Sequence, residues 1–97
     1  MKARPLEFKT SLGELREILE TVVAFANTRG GRIVVGVRDD GTVVGVAIGR
    51  GTIERLANEI INSTDPPIYP SIEVKEISGK KVIIINVPSG EDKPYLY

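Results

Sequence analysis

Four charged residues in the first half of the chain have the types that metal-assisted phosphodiester hydrolysis uses. Glu7 and Lys9 are two positions apart, so a strand would place both side chains on one face. A carboxylate that shares a divalent cation with a second acid can assist attack on a phosphate, and a nearby ammonium can polarise it. Asp39 and Asp40 are the candidates for the second acid. The alternative is a solvated strand face followed by an Asp-Asp-Gly turn.

The amino-acid composition further limits the kinds of catalytic and metal site that the chain can form. The chain has 97 residues, which allows one domain, and it contains no Cys and no His. Disulfides, thiolate nucleophiles, structural zinc sites and Ser–His catalysis are therefore excluded, and any bound metal must be a hard cation with oxygen ligands. No apolar stretch reaches the length of a membrane span, and the N-terminus is too polar for a signal peptide. We therefore expect a soluble, cytoplasmic protein.

The segment from Asn27 to Arg32 is the most distinctive local string, Asn-Thr-Arg-Gly-Gly-Arg. Gly30 and Gly31 allow a sharp turn and a close approach of the backbone to another group. Arg29 and Arg32 flank this pair, and a guanidinium can grip a phosphate as a planar fork. The alternative is a helix C-cap followed by a solvated loop.

Thirteen basic residues balance thirteen acidic residues, but the two parts of the chain differ. Residues 1–55 carry a net charge of +2, and residues 56–97 carry a net charge of −2. Arg38 lies beside the Asp-Asp-Gly turn, and Arg50 lies in a Gly-Arg-Gly-Thr loop that lacks the spacing of a P-loop. A polyanion that binds this chain is expected to contact the Arg-rich part, although an ordinary mixed surface has a similar composition.

Hydrophobic periodicity predicts seven elements in the order β-α-β-β-α-β-β. Ser11 and Glu14 have the spacing of a capping box, so the first helix is expected to begin there and to end near Asn27. Thr52 is the expected N-cap of the second helix. This order predicts an α+β fold in which two helices cover one face of a mixed sheet, within a single domain of residues 1–97. The predicted strands are Leu6–Lys9, with Leu6 and Phe8 on its buried face, Arg32–Val37, Thr42–Val46 after an Asp-Gly turn, Ser71–Ile77, and Lys81–Val87 in the centre of the sheet.

Five strings occur in an order and spacing that are similar to those of a known family. They are Leu6–Lys9, Ala24–Gly31, Gly36–Gly41, Val44–Val46 and Lys93–Tyr95. Together they resemble the Schlafen-type Alba-like domain of transcriptional regulators. The resemblance implies a DNA-binding module, or more broadly a nucleic-acid-binding module, that precedes an ATPase-like region and a winged-helix domain. Family names therefore invoke ATP binding or helicases, whereas nothing in the 97 residues supports ATP hydrolysis.

The same resemblance raises a nuclease alternative. In animal Schlafen proteins this fold can cleave RNA with three acidic residues, and the matching positions here are Lys2, Glu7 and Asp39. Lys2 has the wrong sign for a metal ligand, so we do not expect the domain to be an enzyme. If it were a nuclease, Glu7 and Asp39 would hold Mg²⁺ or Mn²⁺, and Lys9 would complete the catalytic set.

We therefore expect a domain that binds DNA, or alternatively RNA, and needs no cofactor to do so. Its contacts would supply charge and positioning, so binding should be weak, salt-sensitive and nearly independent of base sequence. The resemblance implies a homodimer, and we expect the chain to be the N-terminal fragment of a longer regulator. A non-enzymatic dimerisation or sensing module is a further interpretation. The candidate contact residues are Arg29, Gly30, Gly31, Arg32, Arg38 and Arg50, with Lys9 as an additional phosphate contact.

Overall fold

Residues 4–97, which a computed structural model describes, form four strands, two α-helices and one 3-10 turn. The 3-10 turn leads directly into the first helix. The strands are β1 (Leu6–Lys9), β2 (Gly31–Val35), β3 (Ser71–Ile77) and β4 (Lys80–Val87), the helices are α1 (Leu15–Ala26) and α2 (Thr52–Ser63), and the 3-10 turn is Leu12–Glu14.

The strands form one mixed sheet in the order β1-β2-β4-β3. β1 runs parallel to β2, whereas β2 and β3 both run antiparallel to β4. A parallel pair needs a crossover connection, and α1 supplies it between β1 and β2. β4 is a central strand, as its continuous apolar run predicts. The predicted α+β class with a mixed sheet is therefore confirmed.

Both helices cover the same face of the sheet. Their buried apolar residues recur at helical spacing, and they pack against alternate residues of the two central strands. Each fully buried aliphatic side chain contributes about 1.5–3 kcal/mol relative to exposure, so this layer is the main source of stability. Its members include Ile18, Leu19, Val22 and Ala26 of α1, Leu56 and Ile60 of α2, Ile33 and Val35 of β2, and Ile83, Ile85 and Val87 of β4.

Local hydrogen bonds set where the helices begin. The predicted capping box is present before α1, where Ser11 Oγ accepts a bond from the amide two residues later, and the Glu14 carboxylate accepts one from the Ser11 amide at 3.2 Å. The predicted N-cap of α2 is wrong, because Gly51 is the N-cap and Thr52 is the first helical residue. The Thr52 hydroxyl instead accepts a bond from the Gly49 amide at 2.9 Å. Within the described residues, neither helix is long and apolar enough to span a membrane.

The predicted strand at residues 42–46 is not formed. The chain turns at Gly36, which has a φ of 107° that glycine adopts far more readily than other residues. The Val44 amide donates to the Gly36 carbonyl at 2.8 Å and the Arg38 amide donates to the Thr42 carbonyl at 2.9 Å, but the pairing goes no further than these two bonds. Val37 and Val43 therefore form an isolated antiparallel bridge in place of a second hairpin strand.

The sheet has an open face, by which we mean the side turned away from α1 and α2. Leu6 pairs with Arg32 and Phe8 pairs with Val34, and these two β2 residues alternate with the buried ones that meet the helices. Leu6 and Phe8 therefore lie on the open face, and Leu6 is 49% exposed. The expectation that these two residues form a buried face is wrong. Alternation shows which residues share a face, but it does not show which face the helices cover.

Candidate functional site

The four candidate arginines are all exposed, and they do not form one cluster. Arg32 lies at the beginning of β2, close in sequence to Arg29 in the loop that follows α1. Arg38 lies beyond the other end of β2, and residues 32–35 of that strand alone span about 10 Å at the usual rise. Arg50 lies in the loop before α2. The structure thus places Arg29 and Arg32 at one end of the sheet and Arg38 at the other.

The glycine pair between Arg29 and Arg32 is buried, and the packing around it leaves no room for side chains. Gly30 has a φ of 78°, and an added Cβ would lie 2.5 Å from the carbonyl oxygen of Val87. A Cβ on Gly31 would lie 2.5 Å from the ring of Phe25. The pair therefore lets the chain pass between the Phe25 ring and the end of β4, and it holds the flanking arginines at the surface.

Hydrogen bonds from distant parts of the chain fix this loop. The Gly30 amide donates to the Phe25 carbonyl at 2.8 Å, which ends α1 with a tight turn. The Ser89 hydroxyl donates to the Thr28 carbonyl at 2.8 Å, and the Arg4 guanidinium donates to the carbonyl at the end of β4. The Arg29 and Arg32 side chains therefore extend from a turn that these hydrogen bonds hold in place.

Asn27 makes the contact that sequence reasoning missed. Its Nδ2 donates to the Tyr95 carbonyl at 3.0 Å, and its Oδ1 accepts from the Tyr95 amide at 2.7 Å. The two residues belong to two of the recognised strings, Ala24–Gly31 and Lys93–Tyr95, so their joint occurrence was the available signal. This contact links the end of α1 to the C-terminal segment.

Glu7 and Lys9 share a face of β1, as predicted. They pair with Ile33 and Val35, so both point to the helix side of the sheet. Lys9 Nζ lies 3.8 Å from Glu7 Oε2, and the Lys9 side chain is 13% exposed against 48% for Glu7. The ammonium thus partly neutralises the carboxylate that a metal would need.

The remaining acids do not assemble a metal site around Glu7. Glu14 is engaged in the capping box, where its carboxylate also accepts a bond from the Thr10 amide at 2.8 Å. No group of three or more acidic side chains that could hold a metal occurs among residues 4–97. Lys2, which matches the first family acid, lies outside the described residues. The residues present therefore do not fit a three-carboxylate metal centre.

The hairpin that carries Asp39 and Asp40 is an exposed turn, in accord with the Asp-Gly signal. The Gly41 amide donates to the Arg38 carbonyl at 2.8 Å, and the Thr42 amide donates to Asp40 Oδ1 at 2.9 Å. Hydrogen bonds from the side chain and the backbone of Thr42 lower the pKa of Asp40, with a smaller contribution from the charge of Arg38. Asp40 therefore has a structural role as an ionised turn residue.

Charge divides between the layers of the fold. The helical segments hold five acidic and two basic residues, which is a net charge of −3. The rest of the chain holds eight acidic and eleven basic residues, which is a net charge of +3. The overall balance of zero therefore combines an acidic helical layer with a basic remainder.

The five motif strings all lie within the part of the chain that one family model matches. The family model for Schlafen, AlbA_2 matches residues 3–97. This chain belongs to the Schlafen AlbA_2 family. Its Gly-Gly pair and its Lys-Pro-Tyr string are the parts of this AlbA_2 domain that close the loop after α1.

Two solved structures share the fold of this AlbA_2 domain. The N-terminal domain of a RecG-related protein from Nitrosomonas europaea, whose name refers to ATP-dependent DNA helicases, has a TM-score of 0.76 and 24% identity. The DIP2311 protein from Corynebacterium diphtheriae has a TM-score of 0.73 and 22% identity. The matches cover 94% and 88% of this chain, which spans 68% of the solved Nitrosomonas domain and 20% of the Corynebacterium chain.

Proposed function

We propose that this AlbA_2 domain binds nucleic acid, and that it serves as a DNA-binding part of a transcriptional regulator. The observation that carries the proposal is the basic excess outside the helices, to which four exposed arginines contribute. The name of the Nitrosomonas neighbour, which refers to a DNA helicase, supports the same class of partner. The contact residues are Arg29, Arg32, Arg38 and Arg50, positioned in part by Gly30 and Gly31.

The arrangement of the arginines supports backbone contacts more than base recognition. They lie in loops or at the end of a strand, so no helix carries these arginines into a groove. Each phosphate contact releases counterions, so the affinity falls as salt rises. We expect weak binding with little preference for base sequence.

The test is the salt dependence of binding to a short labelled DNA duplex, measured by fluorescence anisotropy between about 50 and 200 mM salt. Each single replacement by Gln, at Arg29, Arg32 or Arg38, should make the slope of log K against log salt shallower by up to about 0.9. Arg16→Gln is the matched control, because Arg16 is exposed on the acidic helix α1. An affinity that stays flat with salt, or an Arg16 effect as large as the others, contradicts the proposal.

A homodimer would strengthen such a weak surface. Two linked copies bind one polyanion with a raised effective concentration at the second site, so the affinity rises without a new contact. Sedimentation velocity of the domain alone and with DNA measures this directly. A monomer in both conditions contradicts the dimer, while leaving nucleic-acid binding itself in place.

A second candidate, a metal-dependent nuclease, rests on the shared strand face of Glu7 and Lys9 alone, since the described residues form no three-carboxylate group. The two side chains share the helix side of β1, and Asp39 is the candidate further acid. Incubation of single-stranded RNA and DNA with Mg²⁺ or Mn²⁺ tests this activity. Cleavage that Glu7→Gln and Asp39→Asn both abolish would establish a nuclease, and intact substrate would exclude it for these conditions.

A further inference from the structure

The open face of the sheet has an apolar centre. Phe8 of β1, Val34 of β2 and Ile84 of β4 form one row across three neighbouring strands, since Phe8 pairs with Val34 and Val34 pairs with Ile84. All three are half-buried, and they lie outside the core between the sheet and the helices. Leu6, in the next row, is 49% exposed. An aromatic ring thus lies within an apolar strip that the helices do not cover.

Basic side chains flank this strip. Arg32 is exposed in the row on one side, and Lys75 is exposed in the row on the other side. Lys80 lies toward the end of the same face, where Val82 is fully buried and the Lys80 ammonium donates to the Val43 carbonyl at 3.4 Å. Among the described strand residues on this face, Glu73 is the one acid, and its carboxylate accepts a hydrogen bond from Asn86 Nδ2 at 3.3 Å. The face therefore carries a net positive charge.

The electrostatics of the two layers favour an anionic occupant of the open face. The helical segments on the opposite side carry a net charge of −3, so a polyanion is attracted to the sheet and repelled by the helices. A second copy is a poorer occupant. A two-fold interface places the same patch on both sides, so Arg32 and Lys75 would meet a surface of like charge.

The apolar and aromatic side chains of the strip favour a single-stranded nucleic acid over a duplex. Proteins that bind single strands combine a positive surface with aromatic rings on which unpaired bases stack. A four-stranded sheet whose aromatics stack bases is one established way to do this. A duplex hides the flat faces of its bases, so it leaves the Phe8 ring without a stacking partner.

We infer that the open face is a docking surface for single-stranded nucleic acid, on which the Phe8 ring stacks with a base while Arg32 and Lys75 contact neighbouring phosphates. This inference rests on the proposed nucleic-acid binding and specifies the surface and the substrate class. It concerns a face of the sheet rather than the loops that carry Arg29, Arg38 and Arg50.

The first test compares a labelled oligothymidine with a DNA duplex of the same length. Phe8→Leu keeps an apolar side chain but removes the ring, so it should weaken oligothymidine binding by about fivefold or more and leave duplex binding unchanged. Phe8→Tyr keeps the ring and should bind normally. Tyr69→Leu is the matched control, because Tyr69 is a 68% exposed aromatic outside the strands. Thermal unfolding of each variant verifies that it is folded.

The second test locates the contact by methyl NMR during titration with oligothymidine. The methyl groups of Leu6, Val34 and Ile84 should shift, because ring currents of a stacked base act over short distances. Those of Val74 and Leu96 should not, although they are 42% and 64% exposed, because Val74 lies on the helix side of the sheet and Leu96 pairs with Asp65 outside the strands. This readout does not depend on the stability of any variant.

The outcomes separate the inference from the proposed function. If the duplex and the single strand bind equally and Phe8→Leu changes neither, the inference is wrong and the proposed function stands. If neither nucleic acid binds at low salt, both are wrong. If Phe8→Leu abolishes a dimer that forms without nucleic acid, the open face is an interface between copies and the inference is overturned.

Discussion

The side chain of Asn27 pairs with the backbone of Tyr95 in the way that a neighbouring strand would, with one donor and one acceptor. The pairing continues one residue later, where Leu96 forms an isolated antiparallel bridge with Asp65. The Tyr95 ring is buried over Gly90, whose added Cβ would lie 2.0 Å from it. The last turn of α1 and the C-terminal segment therefore form one structural unit.

Removal of the Asn27 side chain should destabilise the fold. Asn27→Ala leaves the part-buried amide and carbonyl of Tyr95 without partners, at a cost of about 1–3 kcal/mol. Asn27→Asp retains the acceptor and loses the donor, so its loss should be smaller than that of the alanine variant. Urea unfolding measures both. Asn58→Ala, at an exposed position of α2, is the control, and an equal loss there would contradict the assigned role.

Two glycines with the same backbone angle should respond differently to alanine. Gly30 and Gly79 have φ values of 78° and 79°, so both substitutions carry the left-handed strain of about 1–2 kcal/mol. A Cβ on Gly79 meets nothing within 4 Å, whereas one on Gly30 meets the Val87 carbonyl oxygen at 2.5 Å. Gly30→Ala should therefore lose about 1–3 kcal/mol more than Gly79→Ala. Equal denaturation midpoints would show that the loop relaxes without cost.

The lowered pKa of Asp40 should be visible in a titration. Its carboxyl should ionise below the usual value of 3.8, because the side chain and the backbone of Thr42 both donate to it. A lowered pKa stabilises the turn at pH values above the unfolded value, and that stabilisation is lost as the pH falls through the folded value. Carboxyl-carbon NMR measures the midpoint, which Thr42→Val should raise. Thr21→Val, which alters a hydroxyl on α1, should leave it unchanged.

Arg32 and Arg38 should contribute to binding independently. The part of β2 between them spans about 10 Å, which is the upper end of the range over which substitutions usually couple, and Arg38 lies three residues past its end. The double Gln variant should therefore reduce duplex affinity by the product of the two single fold-changes, within a factor of about two. Anisotropy at one fixed salt concentration measures all three variants. A double variant no weaker than the worse single one would indicate that both arginines contact the same phosphate.

The sequence predicts those parts of the fold that depend on local chemistry. The capping box of Ser11 and Glu14, the strand Ser71–Ile77 and the central position of β4 are all confirmed, since spacing and apolar runs determine them. The prediction of a second hairpin strand is wrong, because Gly36 turns the chain before a ladder can form. That turn depends on a backbone angle, which residue types suggest but do not fix.

The candidate site was harder to predict because its relationships are long-range. The arginines are exposed as expected, but the sequence does not show that β2 holds Arg32 and Arg38 apart. The contact between Asn27 and Tyr95 spans 68 residues, and no periodicity connects them. The side of the sheet that Phe8 occupies follows from its register with Val34 of β2, which the alternation within β1 does not determine.

The division of charge between the helical layer and the rest of the chain gives this neutral molecule a dipole across its thickness. A uniform electric field exerts no net force on a dipole, but it rotates the molecule. The field near a polyanion changes steeply with distance. As the molecule approaches a polyanion, the sheet therefore faces the polyanion and the helices face away from it. Orientation before contact raises the fraction of productive collisions, and this advantage disappears once the Debye length becomes shorter than the thickness of the domain.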